Sequence, residues 1–470
     1  MLLAGTGILA FQRGGSQSDD VWRAAAIACA VLGGLAVTAP WPIVRGRWAR
    51  AAVASLAGLA GWTALSIEWA RVRISAVDDS GRLLLYAAAF AAAVIVMRSP
   101  GVRRATPWAL LASATAASGY GVGTRLLPGT FEAEIFTAAG ARLSHPVTYW
   151  NGMGFLAGTG LLLAVACASQ PGTSRWARAA ASGAGVLCGF ACYLTLSRGA
   201  FAAVLCGLAV LWLMRPSRST GVAAACVLVP TGALVALLLA LPAVREAPHE
   251  GAADQVSQGR AMAALVLVAA VLAAAAAALV VTADPLRERR LLAPRRALRL
   301  AGAAVCVFLV AVVAISYFSE QTEELSRSTQ RLGEAKTFRA PYWEVAMGSF
   351  ADHPLIGVGS GSFRVEWRRD AKVARAAFDA HSIYFETLCE LGLVGALLLA
   401  GLIGALAAGT ASAARREPDD PVLPAAAAVM AAFAVHAGVD WDWELPAVTL
   451  PVLLLAAAAV TRPEPEIRAR

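Results

Sequence analysis

The sequence predicts an all-α, polytopic membrane protein with about 12–14 transmembrane helices and one large extracytoplasmic loop carrying short surface helices. Three observations predict it. The chain is 58% hydrophobic and 15% charged, with a mean hydropathy of +0.63, beyond the ~45–50% apolar share of soluble globules. The apolar residues gather into runs, most of them near the ~20 residues that a helical span requires. The arginines fall in short connections between those runs, in a pattern that alternates from one connection to the next.

The runs lie at 1–11, 24–41, 50–68, 82–97, 105–122, 150–167, 177–194, 199–214, 219–242, 261–282, 299–317, 383–408, 422–440 and 446–461. The first, MLLAGTGILAF, is short for a span and lacks the charged start of a signal peptide, so it is expected to form a short first helix. Threading the runs alternately from an inner N-terminus places Arg45, Arg47 and Arg50, then Arg98, Arg103 and Arg104, then Arg287, Arg289, Arg290, Arg295, Arg296 and Arg299 on the cytoplasmic side. This is the positive-inside distribution. The net charge of +9 therefore reads as a topology signal, and nucleic acid is excluded as a partner. The eight cysteines sit inside apolar segments without CxxC spacing, as small core residues.

Three regions follow: N-terminal transmembrane helices over 1–317, a large extracytoplasmic loop over 318–382, and C-terminal transmembrane helices with a short cytoplasmic tail over 383–470. The later part of the loop, RAPYWEVAMGSFADHPLIGVGSGSFRVEWRRD, carries Tyr342, Trp343, Phe350, Phe363 and Trp367. Disordered linkers are poor in aromatics, so this stretch is expected to fold into amphipathic helices at the membrane surface. GVGSGSF, from Gly357, lacks the Lys-Ser/Thr ending of a phosphate loop and is read as a tight turn.

Chemistry is expected where that loop re-enters the membrane. His381 stands at the mouth of an apolar helix, a titratable ring suited to general-base work; its bland alternative is a ring bonded to backbone or water. Counted as one continuous helix, the segment puts Gly392 and Gly395 beneath His381, where small residues would admit another helix, and turns Glu386 and Glu390 away from the ring. Glu390, ionisable within a span, is expected to face the interior and could tie its helix to a neighbour. Arg198 lies in the very short outer turn Leu196-Ser197-Arg198-Gly199. It either snorkels to lipid headgroups or binds an anion, and the positive-inside bias favours the second. Arg339 opens the aromatic stretch as either a solvated charge or an anion ligand. His436 and Asp440 are four apart at the end of the penultimate run. Asp440 could orient a histidine, pair with a substrate-binding arginine, or bind acceptor hydroxyls. Asp440-Trp441-Asp442 has the look of a DxD metal motif, but two carboxylates at a wet helix end are more often capping groups, and no metal is expected.

LTLSRGAF, RAPYWEVAMGSFADHPLIGVGSGSF, His381-Ser382 with Gly392 and Gly395 after it, and HAGVDWDWELP together resemble the O-antigen ligase and polymerase superfamily. The resemblance implies an integral membrane glycosyltransferase of GT-C type in a bacterial plasma membrane, active on the extracytoplasmic side, without cofactor or metal. It implies a glycan donor on a polyprenyl (undecaprenyl) diphosphate and a glycan, lipid or protein acceptor. It also implies His381 and Arg339 as catalytic residues. Arg198, Arg142 and Asn151 would line the diphosphate site, with Asp440 and His436 as orienting or acceptor-binding groups. His145 has no counterpart in that pattern. A repeat-unit polymerase would use the same residues, whereas a lipid-linked sugar flippase would be expected to show paired broken helices and midplane charges.

Overall fold

The computed structural model describes residues 2–39, 43–131, 139–241, 253–280, 339–372 and 376–462, with single helical positions between 296 and 311. Fifteen α-helices are described: α1 Leu2–Phe11, α2 Ser18–Thr38, α3 Arg47–Leu65, α4 Arg73–Val96, α5 Pro100–Leu126, α6 Trp150–Ala168, α7 Arg175–Leu194, α8 Arg198–Met214, α9 Arg218–Leu239, α10 Ala253–Val280, α11 Arg339–Asp352, α12 Phe363–Asp370, α13 Ile383–Arg416, α14 Val422–His436 and α15 Pro446–Val460. Every apolar run carries one of them except 299–317, most of which lies outside the described residues. Among the described residues eight helices are long and apolar enough to cross a membrane: α2, α3, α4, α6, α7, α9, α10 and α13; α8, α14 and α15 are shorter apolar helices.

Burial follows composition. α6 and α15 are apolar on every side, and both are enclosed by neighbouring helices. Close packing around α6 depends on its small residues: a Cβ on Gly158 would lie 2.5 Å from Val204 Cγ2, and one on Gly160 2.6 Å from Cys188 Sγ. At the other extreme, α2, α9 and α10 leave most of their apolar surface outward, as helices in a lipid solvent can.

The turns sort to two ends, in the order that alternate threading requires. At one end Arg103, after α4, pairs with Asp420, before α14, at 2.5 Å and donates to Ala458 O at 2.7 Å. Ser219, in the first turn of α9, donates to Ser169 O, after α6, at 3.3 Å. At the opposite end Leu143 N–H meets Leu194 O at 2.9 Å, and Ile383 N–H meets Ala437 O at 2.9 Å. There α11 and α12 build a second apolar core from Tyr342, Trp343, Phe363 and Trp367, closed by Ala380, Cys389 and Val439. The aromatic stretch of the loop thus folds into two helices, as its composition predicts, around a core whose edges carry His381 and Asp440.

One expectation is corrected at α13. The helix is not continuous: Gly392 has φ +60° and ψ −159°, which breaks it near its outer end. Residues 354–359 of the loop approach this glycine so closely that a Cβ on Gly392 would lie 2.5 Å from the main chain of Leu355. Five hydrogen bonds meet the opened backbone. Val358 and Gly359 N–H donate to Cys389 O (3.0 Å) and Glu390 O (2.8 Å), while Leu393 and Val394 N–H donate to Pro354 O (2.8 Å) and Leu355 O (3.3 Å). Trp62 Nε1–H takes Leu391 O at 3.0 Å. In an apolar surround each unmet group would cost several kcal/mol, ~2–7, and that cost explains why break and loop occur together. GVGSGSF turns at Ser360–Gly361, as read from its glycines, and its start also forms a seam with α13.

Candidate functional site

The loop between α14 and α15 runs through 437–445, and Asp440 lies at its centre, 1% exposed. Its carboxylate is a hub. Arg339 Nη2 donates to Oδ2 at 2.7 Å, Asn151 Nδ2 to Oδ2 at 2.6 Å, and Tyr149 O–H and Trp441 N–H to Oδ1 at 2.6 and 3.0 Å. Arg339 Nε also donates to Val439 O. Of the three roles open to Asp440, the structure favours pairing with an arginine. Burial pushes the Asp440 carboxyl up, but Arg339, with His436 and His381, outweighs it, and the net shift is downward, toward the ionised form. Tyr149 moves the other way: burial and the Asp440 charge hold its phenol well above the usual range, so it stays a neutral donor.

His381 precedes α13 and has φ +53°, a left-handed backbone that a residue with a Cβ rarely adopts. Its Nδ1 lies 3.1 Å from Asp379 O. A carbonyl only accepts, so Nδ1 carries the proton and Nε2 is the basic nitrogen of that tautomer. The ring sits 5.3 Å from Tyr342 and 6.4 Å from Trp441, and Trp441 in turn sits 4.6 Å from Tyr149. His381 is therefore joined to the Asp440 hub through an aromatic wall. The hydrogen bond from Nδ1 goes to the Asp379 main chain, and the charges of His381 and Asp440 lie close enough to act on one another.

The remaining candidates lie around this centre. Arg142 is buried; its Nε donates to Ala139 O at 2.8 Å and its guanidinium lies 3.6 Å over the Trp150 ring, which stacks beside Tyr149. Asn151 donates to Asp440 and to Tyr149 Oη (2.8 Å). Arg198 is the first residue of α8, after Leu196 at φ +51°, and a Cβ on the adjoining Gly199 would lie 3.3 Å from the His436 ring. His436 is fully buried against Phe155 and pairs through Nδ1 with Asp442 Oδ2 at 2.5 Å. It does not share a helix face with Asp440, because α14 ends at His436 and the run to 440 is a turn. The two carboxylates of DWD are divided: Asp440 serves Arg339, and Asp442 serves His436.

Sequence reasoning missed Tyr149 and Trp441. A signal exists only in the backbone: among the described residues four non-glycines have positive φ, and three of them are Thr148, Leu196 and His381, beside or within this site. Strain of this kind collects at functional sites.

Residues 261–400 match the family model described as O-antigen ligase. This stretch is similar to the O-antigen ligase family. It spans most of α10, then α11 and α12, His381 and the broken part of α13, so two of the centre's residues, Arg339 and His381, lie within it. The protein is an all-α membrane protein in which this stretch is similar to the O-antigen ligase family. A search of curated protein sequences gives no match.

Proposed function

We propose that this protein transfers a glycan from a polyprenyl diphosphate, of the undecaprenyl type, to an acceptor hydroxyl on the outer side of a bacterial plasma membrane. The observation that carries the proposal is one arrangement: His381, fixed as the Nδ1–H tautomer by Asp379 O, shares an aromatic wall with the Arg339–Asp440 pair. A base and a guanidinium at one site suit a reaction that takes a proton and releases an anion. On the outer side there is no nucleotide sugar, so the donor must bring its own leaving group through the membrane, and a lipid diphosphate does so.

In the proposed step His381 Nε2 takes the acceptor's hydroxyl proton while that oxygen attacks the anomeric carbon. The bond from that carbon to the diphosphate oxygen breaks with inversion, and the diphosphate leaves on the polyprenol. Arg339, held rigid by Val439 O and Asp440, supplies positive charge for the departing oxygens, with Arg198 and Arg142 as further cations. No metal is required by this arrangement, since the charge is met by guanidinium groups.

Deleting the protein is expected to make a lipid-linked glycan accumulate, and mass spectrometry of that glycolipid names the donor. His381→Ala should reproduce the accumulation with the protein still folded, its transfer rate falling by ~10²–10⁴. A ladder of repeat lengths among the wild-type products would reassign the protein as a polymerase. Purified protein that moves the glycolipid between leaflets without forming a glycosidic bond would overturn the enzymatic reading.

A further inference from the structure

We infer that Glu386 is a positioning residue for His381, acting through the main chain of the turn before α13; the inference rests on the reading of His381 as the base. Glu386 lies in the first turn of α13, where a continuous helix would point it away from residue 381. His381 is not helical, however, and the chain doubles back before Ile383. In the folded protein Glu386 Oε2 accepts the N–H of Ala380 at 2.9 Å.

That bond is not an ordinary helix cap. A capping side chain takes the N–H of the cap residue or of the first turn. Here the cap residue is Ser382, whose side chain makes no cap bond, and the glutamate reaches past it by two residues. It thereby fixes the Asp379–Ala380 peptide plane, whose carbonyl accepts from His381 Nδ1. The other side of the turn is fixed by Ile383 N–H on Ala437 O and by Tyr384 O–H on Ala434 O at 2.8 Å. His381 is thus clamped between two anchors, in a left-handed conformation that its own Cβ disfavours. Release of the Ala380 anchor lets φ of residue 381 return to negative values. That rotation carries the imidazole away from Tyr342 and Trp441.

Among the described residues no cation pairs with Glu386. It faces a small polar cavity of about 40 Å³ whose charged lining is Asp79, Arg82, Glu390 and Glu444 besides itself. There Arg82 pairs with Asp79 (2.5 Å) and Glu444 (3.3 Å). Among the described residues the hydrogen bond of Glu386 is the one from Ala380. What the position needs is therefore an acceptor oxygen at that point, a need that glutamine meets as well as glutamate.

The test uses the full chain in detergent and, as donor, the glycolipid purified from cells lacking the protein. Glu386→Gln is expected to keep most of the activity. Glu386→Leu is expected to lower kcat on the order of 10²-fold with KM for the glycolipid little changed, because the base and not the donor site is displaced. Hydrogen exchange of the peptide containing Ala380 should be slow in wild type and Glu386→Gln and fast in Glu386→Leu. Equal exchange in all three, an undiminished kcat in Glu386→Leu, or a Gln variant as impaired as the Leu variant would each overturn the inference. Failure of both Glu386→Leu and Glu386→Ala to fold would make Glu386 a folding residue and overturn it too. His381→Ala in the same assay separates the two readings: an active variant removes His381 as the base, whereas an inactive one beside a fully active Glu386→Leu removes only Glu386.

Discussion

Asp440 collects a guanidinium, an amide, a phenol and a backbone N–H on one buried carboxylate, so the consequences of changing it can be argued atom by atom. Asp440→Asn keeps the shape but turns one acceptor into a donor that faces Asn151 Nδ2, and it leaves Arg339 without its counter-charge. Breaking a buried pair from one side costs roughly 3–5 kcal/mol; the unfolding midpoint in detergent should fall and transfer should fail with it. A double-mutant cycle with Arg339→Ala should show strong coupling, and additive effects would sink the hub. The pH dependence has a definite sign. Because the folded carboxyl is held below its usual range, its contribution is fully present above the unfolded pKa of ~3.9 and lost only as pH falls through the depressed folded value. The gap in unfolding midpoint between wild type and Asp440→Asn should therefore stay level from about pH 8 to pH 5.

At the scale of elements, the broken helix α13 and the glycine seam of the outer loop form a single unit. Gly392 supplies the positive φ, residues 354–359 supply the partners for the opened backbone, and Glu390 pins the start of α12 by accepting Gly361 and Phe363 N–H at 2.8 and 2.9 Å. Glu390 thus ties its helix to a neighbour, as its burial suggested, but the neighbour is this loop. Gly392→Ala would force a Cβ into the main chain of Leu355 at a left-handed position, adding a conformational cost of ~1–2 kcal/mol to the clash. The expected result is a protein with intact helical content whose outer loop is cut by protease at low concentration. Wild-type protease resistance in that variant would mean that the seam does not hold the loop. The same break bears on the transporter reading, which calls for paired broken helices; here the opening in α13 is filled by the protein's own loop.

Across the whole molecule the short connections divide into two ends, with the basic turns on one and the Asp440 hub on the other. The proposed function puts the hub on the outer face, the side the positive-inside rule would give it. Alkaline phosphatase fused after Gly129 should be active and after Glu417 inactive, with a fluorescent-protein fusion giving the reverse. The opposite pattern would put the site in the cytoplasm, where nucleotide-sugar donors exist, and would remove the argument for a lipid diphosphate.

By itself the sequence determined what local chemistry can determine. Hydropathy and run length gave the helices, because a span in lipid must be apolar along its whole length, and the arginine pattern gave their order of threading. The residues that the proposed function uses were candidates in the sequence as well, among them the arginines of short turns and the histidine at a helix mouth. Helical angles could not tell that His381 lies outside α13, because the backbone reversal at residue 381 leaves no periodic trace; the same blindness turned Glu386 away and set His436 on a face with Asp440. Only the tertiary structure decided which carboxylate meets which base. Asp440 with Arg339, Asp442 with His436, and Glu386 with the turn before His381 are pairings between segments brought together by packing, and the free energy that selects them comes from burying each polar group opposite a partner.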